Sequence, residues 1–234
     1  MEITVIASGS KGNAYRISDG RTALLLEAGI PFPAIRQALA FRVRELAGCL
    51  VSHAHGDHAK AAGALAKAGV DVYTSKGTIN ACGLTGHRVK TVNPLQPFRV
   101  GTFTVLPFDV QHDAPEPLGF LVRSNLTGEK LLFFTDTYYL KYRFDGLTHI
   151  MCECNFETRI AEERMRRGEL PAERFKRLVQ SHMSLEHLLD LLRANDLSRV
   201  RQIYLMHLSE DNSDEQHCRD EVRKLTGAEV YICK

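Results

Sequence analysis

The chain has 234 residues, with 30 Lys and Arg against 28 Asp and Glu. Its net charge of +2 gives no basic excess that would announce nucleic acid, although a local patch would be enough to bind it. With 44% hydrophobic residues it can bury a core unaided, and its six cysteines sit mostly in apolar runs such as GCLVS and THIMCEC, where a thiol acts as a small hydrophobe rather than as part of a secreted disulfide framework. The segment MEITVIASGS lacks the basic and apolar regions of a signal peptide, and no apolar run approaches the roughly 18 residues of a membrane helix. The expectation is a cytoplasmic protein with no membrane contact.

In chain order, Ile3–Ala7, Tyr15–Ser18 and Ala23–Glu27 are short apolar runs separated by Gly and polar turns, the pattern of an antiparallel meander. Pro31 to Ala40 reads as a first helix. Gly48–Ser52 is an apolar strand running into a histidine-rich loop. Ala59–Lys67 is alanine-rich and reads as one helix stopped by Gly69. Val70–Tyr73 is a strand and Ser75–Cys82 a short helix. Residues 88–135 read as further strands, broken by Pro94, Pro97, Pro107, Pro115 and Pro117. After a strand at His149–Glu153 the character changes, and residues 157–177 carry seven Arg or Lys and five Glu at helical spacing. That is the composition of a solvated helix pair, which could also turn Arg164, Arg166, Arg167, Arg174, Lys176 or Arg177 toward phosphates. Ser184 then caps an apolar stripe of Leu185, Leu188, Leu189 and Leu192. Arg201–Met206 is a strand, Ser213 and Gln216 form a capping box opening a last helix, Gly227 ends it, and Glu229–Cys233 is a final strand. The order predicts an α/β fold of two sheets packed face to face with helices outside.

The chemistry concentrates in His53-Ala54-His55-Gly56-Asp57-His58. In an extended segment His53 and His55 point the same way. The chain then turns at Gly56, and Asp57 and His58 reach back from the start of a helix. Imidazole and carboxylate suit zinc, manganese and iron. One ion cannot easily use four ligands from so tight a loop. Two ions about 3.5–4 Å apart can, given further ligands from elsewhere in the chain.

This string resembles the signature of the metallo-β-lactamase superfamily, and the whole chain resembles its YycJ/WalJ-like branch, related to RNase Z and cyclic phosphodiesterases. Ala7-Ser8-Gly9-Ser10-Lys11-Gly12-Asn13 is similar to the branch's opening motif. So are the segments from Gln111 to Phe120, Phe134-Thr135-Asp136-Thr137, and Leu205 to Asn212. The resemblance implies an αββα sandwich of two mixed sheets with helices on the outer faces, formed as a single domain over residues 1–234. It implies two divalent metal ions, zinc first, with manganese or iron as alternatives. His53, His55 and His112 would hold one, Asp57, His58 and His207 the other, and Asp136 would bridge them.

Glu153, in Cys152-Glu153-Cys154-Asn155, and His182, in Ser181-His182-Met183-Ser184, resemble paired segments of the branch and of tRNA 3′-processing endonucleases. By that likeness His182, oriented by Glu153, would protonate a leaving oxygen, and Asp57 would be essential through the metal centre. The implied reaction is phosphodiester hydrolysis in DNA or RNA by a metal-bridging hydroxide, with nucleic acid as the partner and no organic cofactor. A small-molecule hydrolase of the same fold (cyclic phosphodiesterase, thioesterase or lactonase) is the alternative, and a non-catalytic metal-stabilised interaction module a third reading. Oligomeric state is not legible. Four positions depart from the branch: Glu27 stands for aspartate, Tyr138 and Ser181 for glycine, and Leu185 for asparagine. Glu27 falls where relatives orient a ligand. His187 and His217 lie within helices and read as surface residues or as residues behind the ligands, and His87 and His149 have no partner that the sequence names.

Overall fold

A computed structural model describes residues 1–234, and its N-terminal apolar runs form the antiparallel meander: β1 (Glu2–Ala7), β2 (Ala14–Ser18) and β3 (Ala23–Leu26). From there the chain crosses over through helices, which makes each next pairing parallel. β4 (Leu46–Leu50), β5 (Val72–Thr74) and β6 (Val89–Thr91) add in this way, giving a mixed sheet in the order β1-β2-β3-β4-β5-β6. Helix α1 (Phe32–Ala38) leads from β3 toward β4. The helices and the sheet share a core of Leu25, Ile35, Cys49, Val51, Leu65 and Val72.

The alanine-rich segment is two helices instead of the expected one, α2 (Gly56–Ala59) and α3 (Ala62–Lys67). The break falls at Ala61, whose N–H donates to the Ala28 carbonyl at 2.8 Å rather than continuing a helical ladder. Propensity carries no information about an acceptor so far away in sequence. α4 (Lys76–Ala81) follows β5, with Ser75 Oγ accepting from Thr78 N at 3.1 Å as its cap.

Three more strands, β7 (Phe98–Val100), β8 (Phe103–Asp109) and β9 (Leu118–Ser124), pair antiparallel. Asp19, in the β2–β3 turn, accepts from Thr102 Oγ1 at 2.6 Å and Ser124 Oγ at 2.7 Å, and so ties this layer to the meander. All of these elements belong to one compact unit, Met1–Asp109 and Ala114–Glu129 with Lys234.

The second unit, Val110–Asp113 and Lys130–Cys233, is a parallel α/β layer. Its strands are β10 (Lys130–Phe134), β11 (His149–Glu153), β12 (Gln202–Met206) and β13 (Glu229–Ile232), ordered β13-β12-β11-β10. β11 is buried throughout and β10 from Leu131 onward, as expected of parallel strands covered on both faces. The charged segment forms the helix pair α5 (Thr158–Arg166) and α6 (Ala172–Ser181), which closes over Phe156, Ala161 and Leu170. α7 (Leu185–Arg193) opens on Ser184 and buries Leu185, Leu188, Leu189 and Leu192, each worth about 1.5–3 kcal/mol of transfer free energy.

The last helix, α8 (Glu215–Thr226), is capped by Asp214, not by the expected Ser213. Asp214 Oδ1 accepts from His217 N at 3.0 Å, while Ser213 Oγ donates to the Ser209 carbonyl at 2.7 Å. Gly227 ends the helix at φ +68°. All six cysteines are free thiols, and five of them are buried. No helix is long and apolar enough to cross a membrane.

Candidate metal centre and proton-donor dyad

Four of the seven expected ligands lie in the first unit, His53 and His55 in the loop after β4 and Asp57 and His58 in α2. Ser52 Oγ sits 2.9 Å from His53 Nδ1, and His53 Nε2 faces His55 Nδ1 at 3.1 Å. The two histidines therefore point to the same place, as alternation along an extended segment requires. The His58 ring lies against that of His53 with centroids 4.2 Å apart. His58 Nε2 is 3.4 Å from Asp57 Oδ2, and its Nδ1 is 3.3 Å from Glu27 Oε2.

The longer side chain at Glu27 thus reaches the ligand it would orient, while its Oε1 accepts from Ser52 N at 3.1 Å. Burial pushes the Glu27 carboxyl above its ordinary range, against the opposing pull of His58 and Ser52. Backbone bonds hold the loop in place: Asn13 N donates to the Asp57 carbonyl and Ala28 N to that of His58, both at 2.8 Å. Gly29 makes the closest approach, since a Cβ there would stand 1.6 Å from the Asp57 carbonyl oxygen. The Asn13 side chain adds a bond to the Asp57 carbonyl at 3.2 Å, and its Oδ1 is held by Gly9 N and Tyr15 Oη at 3.0 and 2.9 Å. The opening motif therefore braces the ligand loop, a role the sequence reading did not assign to it.

The other three expected ligands, His112, Asp136 and His207, lie in the second unit with Glu153 and His182. Asp136 follows β10 and His207 follows β12, both with left-handed backbone at φ +48° and +55°, and Glu27 after β3 adopts the same region at +64°. Such conformations are uncommon for side chains other than glycine and concentrate at functional sites. Asp136, Glu153, His182 and His207 bring ligand atoms within 4.8 Å of one another. His207 Nδ1 is 3.1 Å from Asp136 Oδ1 and 3.2 Å from Glu153 Oε1. Asn155 Nδ2 donates to the His207 carbonyl at 2.7 Å, another positioning contact that the sequence reading passed over.

His112 Nδ1 donates to the Ser181 carbonyl at 3.1 Å. This contact uses only the backbone, so it tolerates the serine that replaces glycine. Burial lowers the His112 pKa, followed by an opposing pull from Asp136, which favours the neutral ring. Its Nε2 lone pair then faces Asp136 Oδ2 at 3.5 Å and Asp113 Oδ1 at 3.3 Å. Acceptors facing acceptors repel, and a cation placed among them removes the repulsion. The residues therefore fit a divalent metal by chemistry as well as by type.

Glu153 is the hub beside these ligands. Its Oε1 lies 2.6 Å from His182 Nδ1, and its Oε2 accepts from Thr137 N and Met183 N, both at 3.1 Å. Burial works against a charged His182. The Glu153 charge and hydrogen bond, with Asp136 behind them, outweigh it and raise the His182 pKa above its ordinary value. Two further histidines make side-chain contacts away from this cluster. His149 is a buried ring 2.8 Å from Thr148 Oγ1, and His217 Nδ1 lies 2.8 Å from Glu157 Oε2.

A family model described as the beta-lactamase superfamily domain matches residues 24–208. The chain belongs to this superfamily. Among curated superfamily relatives, it is 29% identical to exodeoxyribonuclease YycJ of Bacillus anthracis, over 96% of this chain and 89% of that protein. It is 28% identical to exodeoxyribonuclease WalJ of Streptococcus pneumoniae, over 90% of this chain and 82% of that protein. The crystal structure of the metallo-β-lactamase fold protein YhfI from Bacillus subtilis superposes with a TM-score of 0.74 at 18% identity, covering 99% of this chain and 96% of that one. The strand-and-helix layers described above are thus the metallo-β-lactamase fold. Within the superfamily the chain aligns with the YycJ/WalJ branch, as its motifs imply.

Proposed function

We propose that this superfamily member is a divalent-metal-dependent phosphodiester hydrolase acting on nucleic acid, DNA first, and that residues 1–234 work as a single domain. In this reading His53, His55 and His112 would hold one ion, Asp57, His58 and His207 would hold a second, and Asp136 would serve both. Zinc is the expected metal, with manganese or iron as alternatives. When bound, such cations supply Lewis acidity, making water more acidic and offsetting the charge of a phosphodiester.

The observation that carries the reading is the 2.6 Å contact between His182 Nδ1 and Glu153 Oε1, beside Asp136 and His207. Glu153 fixes the ring and keeps a proton on Nδ1, so the proton on Nε2 is the one that can be passed on. A sugar alkoxide is a poor leaving group and needs that proton. A thioester releases a thiolate, which leaves without one, so the dyad favours phosphodiesters over thioesters. The two exodeoxyribonucleases that align over nearly the whole chain support DNA as the substrate.

The test is a metal-quantified cleavage screen on single- and double-stranded DNA and RNA with zinc, manganese or iron. Asp57→Ala should lose both metal and cleavage. His182→Ala should keep its metal and slow cleavage by roughly a hundredfold or more. If no metal supports cleavage of any of these polymers, the proposal fails.

A further inference from the structure

Directly after Asp136 the chain runs through residues 137–145 without regular secondary structure. Tyr138, Tyr139, Lys141, Tyr142 and Arg143 fall within it, so aromatic and cationic side chains are interleaved. The loop is pinned at its start. Thr137 N donates to Glu153 Oε2 at 3.1 Å, and Thr137 Oγ1 accepts from Gln111 N at 3.0 Å while donating to the Tyr139 carbonyl at 2.8 Å. It is pinned again farther on, where Phe144 N donates to Asn195 Oδ1 at 2.7 Å, and Leu140 and Phe144 are buried as anchors.

Between these anchors Tyr138 and Tyr139 are left 37% and 57% exposed. Adjacent large aromatic rings held in water by a fixed backbone call for a reason, because a buried placement would be favourable. Lys141 Nζ stands 5.1 Å over the Tyr142 ring, and Arg143 is exposed. Tyr138 also lines a cleft of about 440 Å³ together with His112, Ser181, Lys176 and Arg177, a size suited to a small ligand. Asp113 holds the Arg177 guanidinium at 3.1 Å, so Lys176 is the cation of the cleft better placed for an incoming anion.

Ring faces that stack bases, alternating with cations that meet phosphates, are what an unpaired strand requires. Bases inside a duplex already stack on one another and have no free face to offer. We infer that Tyr138 is a base-stacking platform, and that the 138–143 loop with Lys176 forms a track for a single strand of nucleic acid leading to the proposed phosphodiester site. This inference rests on the function proposed above. It also gives a role to the tyrosine that stands where the branch has glycine.

The experiment is fluorescence anisotropy of labelled oligothymidylate and oligouridylate on metal-loaded protein carrying His182→Gln to slow turnover. The same protein is compared with Tyr138→Ala, Tyr138→Phe or Lys176→Ala added. Tyr138→Ala should weaken single-strand binding roughly fivefold or more, and Tyr138→Phe should restore it, because only the ring face is needed. A 2-aminopurine base in the strand should be quenched by the parent and less so by Tyr138→Ala. A duplex should bind more weakly than the single strand and be insensitive to Tyr138→Ala. Metal content and thermal stability equal to the parent establish that the variants fold. Parent-like affinity in Tyr138→Ala, or equal losses on single strand and duplex, overturns the inference. Binding requires no turnover, so an absence of hydrolysis by the unsubstituted chain would count against the proposed function alone.

Discussion

Replacing Glu153 with glutamine preserves side-chain length and removes the charge. The carboxylate is fully buried at the end of β11 and meets four groups, His182 and His207 at Oε1 and the Thr137 and Met183 N–H groups at Oε2. A glutamine offers one acceptor and one NH2. The backbone donors cannot change role, so the amide oxygen must stay with them and the NH2 must face the imidazoles. His182 Nδ1 then has to accept, and the imidazolium loses its partner. In the native chain Glu153 overcomes the opposing effect of burial and raises the His182 pKa, so the acid form persists as pH rises. In the variant burial is opposed chiefly by Asp136, without the Glu153 charge, and the pKa falls. DNA cleavage at neutral pH should drop by roughly 10²–10⁴-fold, the usual reach of general acid catalysis, or about 2.7–5.4 kcal/mol. Stability should change less than the lost charge-assisted bonds imply, at about 1.5–3 kcal/mol each, because a buried carboxylate no longer has to be desolvated. The assay compares a DNA oligonucleotide with bis(p-nitrophenyl) phosphate, whose nitrophenolate leaves without a proton. The loss should be confined to DNA. Equal losses on both substrates, with metal content intact, would refute a role for Glu153 through the His182 proton.

Gly29→Ala should displace the backbone that carries Asp57, because the new Cβ meets the Asp57 carbonyl oxygen at 1.6 Å; metal analysis of the purified variant should show a loss, and full metal content would contradict the clamp. Glu27→Gln removes the charge facing His58 Nδ1 at 3.3 Å, and metal affinity measured by competition with a chelator should fall roughly 10–100-fold. Asp19 offers a pH test: burial pushes its carboxyl up, but hydrogen bonds from Thr102, Thr22, Ser124 and Arg21 outweigh it and hold the pKa at about 2 against an ordinary 3.8. A depressed folded-state value stabilises above pH 4 and ceases to as pH falls through about 2. Asp19→Asn should therefore cost about 1 kcal/mol at neutral pH, after discounting for solvent screening, and urea midpoints of variant and parent should converge near pH 2.

The geometry of the histidine-rich loop was legible because its candidate ligands are contiguous and two-residue alternation fixes where His53 and His55 point. The α7 stripe was legible for the same local reason, since Ser184 and four leucines at helical spacing determine both cap and buried face. Asp136, Glu153, His182 and His207 are separated by long stretches of chain. Asp136, Glu153 and His207 converge because parallel strands end side by side, and the end of α6 brings His182 to them, so only the likeness to a family could name them. The errors share one physical origin. Ala61 finds its acceptor at Ala28, and Ser213 finds one at Ser209 and yields the cap to Asp214. Asn13 and Asn155 lay in quoted motifs without a role, because an amide that braces a neighbouring backbone shows nothing distinctive until the fold closes around it.

Glu27, Asp136 and His207 all occupy a backbone region where glycine would sit without strain, at a cost of about 1–3 kcal/mol per residue. Thermal robustness and reactivity therefore pull in opposite directions at the same three turns. A laboratory lineage screened for heat resistance alone should accumulate glycine or asparagine at these turns and emerge sturdier and inert. Retention of the original trio under such a screen would mean that the native chain has already released the tension elsewhere.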